Sequence, residues 1–206
     1  MYALDANEAR KADSTGSMIK EIGKYVGKFT QAEDVKASTG TKGIALSFES
    51  DAGQKARVSL YTQKSNGERI MGFQAVMAIM TCLSLRNIAP KPGTIKFWDN
   101  DAKAEKTKEG EVFPDLCGKP IGLLLETEDY ERQDGSLGTR MVLKGVFQAG
   151  TELTASEILD KKTKPEQLAR MVVGLRHRPL KGHKAPVAAA HHDDFGAPAG
   201  EDDIPF

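Results

Sequence analysis

Apolar and polar positions alternate with a period of two in the first part of the chain, the mark of strands with one buried face. Ile44, Leu46 and Phe48 alternate with Ala45, Ser47 and Glu49. In residues 54–63, Ala56, Val58, Leu60 and Thr62 fall on one face and Lys55, Arg57, Ser59 and Tyr61 on the other. Residues 23–36 form an earlier strand, favoured by Tyr25, Val26 and Phe29, with Gly27 marking a bend or bulge. Turn chemistry at 38–43, at Asp51-Ala52-Gly53 and at Asn66-Gly67 separates these runs. The period then changes. Over residues 72–85, Phe73, Val76, Met77 and Met80 follow helical spacing, and Ile79, Cys82 and Leu83 widen the stripe. The pattern predicts a core helix plugging one end of a barrel, although a Met-rich run also suits a partner groove.

Residues 86–98 pass through Pro90, Pro92 and Gly93 to the run Ile95-Lys96-Phe97-Trp98. Thirteen polar residues follow, 99–111, with Lys103, Lys106 and Lys108; they read as a mobile loop or as a clamp over a bound strand. Residues 121–128 are an almost continuously apolar strand, Asp134-Gly135 a turn, and 139–148 a partner strand. Thr154 and Glu157 make a capping box. Pro165 suits a first helical position ahead of Leu168, Met171, Val172 and Leu175, and Gly174 and Pro179 mark the end. Residues 181–200, rich in Ala, Pro, Gly and His, read as a disordered linker. The expected order is three strands, a helix, two strands and a helical extension. That is the order of an OB-fold, a small five-stranded Greek-key barrel used on single strands. The expected organisation is a flexible arm at 1–18, the barrel at 19–150, a helical extension at 151–180, and a disordered linker and acidic tip at 181–206.

Charge changes this picture. The 206 residues carry 29 basic and 29 acidic side chains, so the net charge is zero. Residues 193–206 hold five acids and no Lys or Arg, which leaves 24 acids against 29 bases in 1–192. A body of +5 thus carries a tail of −5, and a basic body suits a polyanion. The two cysteines, Cys82 and Cys117, form no CxxC pair, which points to a reduced, cytoplasmic setting. No apolar run is long enough to be a signal peptide or a membrane span.

Single strands are held by cations on phosphates and by rings stacked on bases. The candidates are Tyr25, Lys28 and Phe29 on the first strand, Lys55, Arg57 and Tyr61 on the third, Lys96 and Trp98 before the polar stretch, and Arg140 and Lys144 on the last strand. For each ring, burial in the core is the rival reading. The sequence ends in Asp202, Asp203, Ile204, Pro205 and Phe206, which suit docking: acids for a basic rim, Phe206 for a pocket. Catalysis finds no support, because GxxxxGK[ST], HExxH and GxSxG are all missing. Carboxylate pairs such as Asp99 with Asp101, or Glu126 with Glu128, occur by chance in a charged chain. His177, His183, His191 and His192 have no cysteine nearby in sequence, so no metal or cofactor is expected.

The DDIPF ending resembles the acidic tip of bacterial single-stranded DNA-binding proteins, which in that family recruits replication and repair enzymes. Residues 19–160 are similar to phage-encoded single-stranded DNA-binding proteins. The stretches that carry this are EIGKYVGKF, the turn and strand from Ser38 to Ser50, GFQAVMAIMTCLSLR, LCGKPIGLLLETEDYE and VFQAGTELTASEI. The resemblance implies a non-catalytic, largely sequence-independent binder of single-stranded DNA, acting in replication, recombination or repair in a bacterial host's cytoplasm. It also implies partner proteins, from host or phage, taken through the tip. Because the body does not match the main bacterial family closely, that family's tetramer is not implied. The competing expectation is an adaptor that uses the tip to capture host replication proteins and binds DNA weakly. No residue pattern points to a 2′-hydroxyl contact, so RNA remains a variant of the first expectation.

Overall fold

The computed structural model describes residues 18–99, 102–132 and 134–180. The expected arm, except Met18, and the whole of the linker and tip, including Asp202, Asp203, Ile204, Pro205 and Phe206, lie outside them. The chain is mainly β. Its strands are β1 (Gly23–Lys36), β2 (Lys42–Ser50), β3 (Lys55–Gln63), β4 (Lys91–Asp99), β5 (Ala104–Val112), β6 (Pro120–Glu131) and β7 (Leu137–Phe147). Its helices are α1 (Met71–Cys82), between β3 and β4, α2 (Ala155–Leu159) and α3 (Gln167–Val173).

Strand β1 organises the sheet. Its first half pairs with β6, from Gly23 with Leu125 to Lys28 with Pro120, and its second half pairs with β2, from Gly27 with Ser50 to Lys36 with Lys42. Both pairings are antiparallel and overlap at Gly27 and Lys28. A Cβ at Gly27 would lie 2.1 Å from the Glu49 carbonyl oxygen, so only glycine permits this strand exchange. The hairpins β2–β3 and β6–β7 extend the sheet on either side. β3 and β7 approach each other but do not pair, so the antiparallel sheet is not closed into a barrel.

Alternation in β2 and β3 builds the core as expected: Ile44, Leu46, Phe48, Ala56, Val58 and Leu60 are buried, with Phe29 edge-on to Phe48 at 6.1 Å. α1 buries Val76, Ile79, Met80 and Cys82 in this core, so it is the expected core helix, although the sheet it packs on is not a closed barrel. Gly72 brings its first turn against β3, where a Cβ would stand 2.1 Å from the Tyr61 carbonyl oxygen.

Two expectations are corrected. Most of the stretch expected as a loop, from Ala104 onward, is strand. β4 and β5 pair in continuous register from Lys91 with Val112 to Asp99 with Ala104, giving seven strands among the described residues rather than five. Almost nothing in β5 is buried, so no apolar face announced it. Cross-strand ion pairs stand in its place, Lys106 to Asp99 at 2.6 Å and Lys96 to Glu105 at 3.3 Å. The last helix begins at Gln167, two residues beyond Pro165.

The helical extension packs on the sheet. Leu168 joins Leu124 and Phe147 in a small second core. Glu157, wholly buried, completes the capping box by accepting the Thr154 N–H, and it also accepts the N–H groups of Glu166 and Gln167. These bonds hold its carboxyl at about 2. Beyond α3, Arg178 bridges to Glu128 of β6, and its guanidinium meets the buried Glu126 at 2.5 Å.

Candidate nucleic-acid interface

Cross-strand register places three rows on the outer face of β1–β3. Lys28, Glu49 and Lys55 form one, Gln31, Ser47 and Arg57 the next, and Glu33, Ala45 and Ser59 the third. A bulge at Thr30 sets this register by shifting β1 between Phe29 and Gln31. Gly43, Ala45 and Ser47 make the middle strand low, so longer side chains of β1 and β3 stand as its banks. Lys28, Lys55, Arg57 and Tyr61 are exposed here, as the alternation of β3 requires. From Lys55 to Tyr61 the face runs for about 20 Å at the usual strand rise.

Glu33 lies at the centre of this face and is 5% exposed. Its carboxylate accepts from Arg57 Nη2 at 2.7 Å and from Lys108 Nζ of β5 at 2.9 Å. Burial pushes its pKa up, but the hydrogen bonds from Lys108 and Arg57 and their charges outweigh burial and lower it. Two cations are thus fixed in place with one negative charge between them. Among the described residues of this face, Lys28, Lys55, Arg57 and Lys108 oppose Glu33 and Glu49, a net +2.

The β4–β5 hairpin is held over β1 by a side chain acting as a strand. Gln31 Nε2 donates to the Lys96 carbonyl at 3.1 Å, and the Lys96 N–H donates to Gln31 Oε1 at 2.8 Å. The pairing Ile95 with Lys108 puts the buried Ile95 on the hairpin face that reaches Glu33. Lys96 and Trp98, one residue out of phase, lie on the other face. Trp98 is 63% exposed, and Lys96 pairs with Glu105.

The candidates therefore separate. Lys28, Lys55, Arg57 and Tyr61 come together. Lys144 reaches the same region from β7, where it and Tyr61 line a common cleft. Lys96 and Trp98 stand on the far side of the hairpin. Arg140 is engaged on the β6–β7 arm, bonded twice to Glu128 and lying over the Tyr130 ring. Phe29 is corrected: it is 0% exposed in the core and offers no surface to a base. Tyr25 is half-buried, donates its hydroxyl to the Glu21 carbonyl, and has its pKa raised by burial and by the Glu21 charge. Gln31 and Glu33 were not among the candidates, and Lys108 entered only through the clamp alternative for 99–111. The regular spacing of Lys106 and Lys108 was the available sign of a strand face.

The described residues contain no cluster of three or more His, Cys, Asp or Glu suited to a metal ion, and no helix long and apolar enough to cross a membrane. Cys82 is buried, and burial pushes its thiol up to about 11. No protein-family model matches the chain, and no curated protein is similar enough to count as a relative.

Proposed function

We propose that this protein binds single-stranded DNA without catalysis and with little sequence preference, in replication, recombination or repair. The carrying observation is the outer face of β3, where Lys55, Arg57 and Tyr61 stand exposed beside Lys28, Lys108 and a floor of small β2 residues. Cations there neutralise phosphates and release counterions, and a ring at the end of the run stacks on a base of any identity. The strand order β1, β2, β3, α1, β6, β7 supports an OB-fold, read as an incompletely closed barrel with the β4–β5 hairpin inserted after the helix. Partner proteins are taken through residues 202–206.

A second reading, the docking adaptor, draws on a different observation. Arg57, Lys96 and Arg140 each have an acid partner within 3.3 Å, so much of the positive charge is already answered. Fluorescence anisotropy of labelled oligo-dT at two salt concentrations, with duplex of equal length as control, separates the two readings. Salt-sensitive binding to the single strand alone is the expected result. No binding at low salt overturns it in favour of the adaptor. Phe206→Ala leaves oligo-dT affinity nearly unchanged and weakens capture of the partner.

A further inference from the structure

The unclosed seam between β3 and β7 is an open cleft with a volume of about 560 Å³. That is within the roughly 300–1,000 Å³ usual for small-molecule sites. Both of its strands are bulged there. On β3 the register passes from Lys42 with Gln63 to Gly43 with Tyr61, leaving Thr62 as the extra residue. On β7 it passes from Leu124 with Gly145 to Leu125 with Leu143, leaving Lys144 as the extra residue. A bulge bends its strand and re-aims side chains, and these two fall beside Tyr61 and at Lys144, both of which line the cleft.

The lining has a distinct chemistry. Leu60, Ala75, Val146 and Met171 supply apolar lining, Gln74 adds an amide with both donors and acceptors, and Gln167, whose oxygen accepts from Ser156, adds amide donors. Tyr61 stands at one lip with its ring 42% exposed, and Lys144, also exposed and with no acid partner among the described residues, lines the opposite side. A ring, a cation and two amides around an apolar slot match an unstacked nucleobase with its 5′ or 3′ phosphate outside.

We propose that the β3–β7 seam seats one base turned out of a strand that runs along the outer face of β3. Tyr61 closes over that base, and Lys144 holds the adjoining phosphate. The proposal rests on the reading of the outer face as a single-strand groove, and it makes the seam the groove's end. The amides give this one position a base preference that the open face does not have.

The test is photo-cross-linking of the full-length protein to oligo-dT carrying 5-iododeoxyuridine, with the attached peptides located by mass spectrometry. Cross-links to peptides holding Met71 or Met171 are expected, whereas a cross-link to Tyr61 without them is what the open groove alone gives and overturns the seam. Gln74→Trp places a bulky ring over the mouth from an exposed helix position; it should remove those cross-links and weaken binding about fivefold, with thermal unfolding unchanged. Lys144→Ala should make the log–log salt slope shallower by about 0.7. Salt-sensitive binding with cross-links only elsewhere overturns the seam and leaves the groove standing. Failure of the oligonucleotide to bind at low salt overturns both.

Discussion

Replacing Glu33 with glutamine sets folding against binding. In the native protein its carboxylate neutralises part of Arg57 and Lys108, both about half exposed on the face assigned to the strand. Glu33→Gln keeps the size of the side chain, removes the charge and leaves one acceptor oxygen where Arg57 and Lys108 now use two. Folding should lose about 1–2 kcal/mol, because one bond loses its anionic acceptor and the other is lost, while both donors stay partly in water. DNA binding should strengthen at low salt, since two cations are released to phosphates. Each added contact steepens the single-strand salt slope by about 0.7, so two give about 1.4, or an additional loss of about sevenfold between 50 and 200 mM salt. The assays are urea denaturation for stability and oligo-dT anisotropy over a salt series. An unchanged slope would refute the placing of Arg57 and Lys108 in the groove. A fall in both stability and affinity would show that Glu33 aims Arg57 rather than restraining it.

Three further outcomes follow from the geometry. Tyr61→Ala should cost about 1–3 kcal/mol of oligo-dT binding, whereas Trp98→Ala, on the hairpin's other face, should cost clearly less; the reverse order in the same titration would move the strand's path onto the hairpin. Phe29→Ala should destabilise the fold by about 3–5 kcal/mol, seen as a lower urea midpoint, with DNA affinity of the folded fraction unchanged. Glu157 titrates at about 2 when folded because of the N–H groups it accepts from Thr154, Glu166 and Gln167. With the unfolded carboxylate near ~4.3, its contribution is present above that pH and is lost as pH falls toward 2. Glu157→Gln should therefore melt lower at neutral pH and show a flatter acid dependence of Tm.

Where an apolar stripe has a polar opposite face, the chain was readable. β3 alternates without interruption, and the exposure of Lys55, Arg57 and Tyr61 follows residue by residue. α1 was equally plain, and so was the capping box. Phe29 misled because β1 is not one regular strand: the bulge at Thr30 puts Phe29 and Ala32, three residues apart, on the same buried side. β5 misled for the opposite reason. A strand stabilised by Lys–Glu and Lys–Asp neighbours and one buried isoleucine across the ladder has the composition of a loop. The centre of the interface was illegible for a related cause, because Glu33, Arg57 and Lys108 are far apart in sequence and only the register of three strands and a hairpin brings them together.

The attachment of that hairpin bears on how the molecule breathes. β4 and β5 are bonded to each other along their whole length, yet they join β1 through one register pair, Glu33 with Val112, together with the Gln31 amide and the Lys108 ion pair. Releasing those few bonds lets the arm lift as a unit while the ladder of β1 with β2 and β6 stays shut, a sub-global opening well below the free energy of full unfolding. The arm amide bonded across to β1, the Lys96 N–H on Gln31, should accordingly exchange with deuterium long before the amides of β1 bonded to β2 and β6, and Gln31→Ala should hasten its exchange while leaving that of β1 alone. For the single-strand binder proposed above, such a latch would admit a continuous strand from the side rather than from an end.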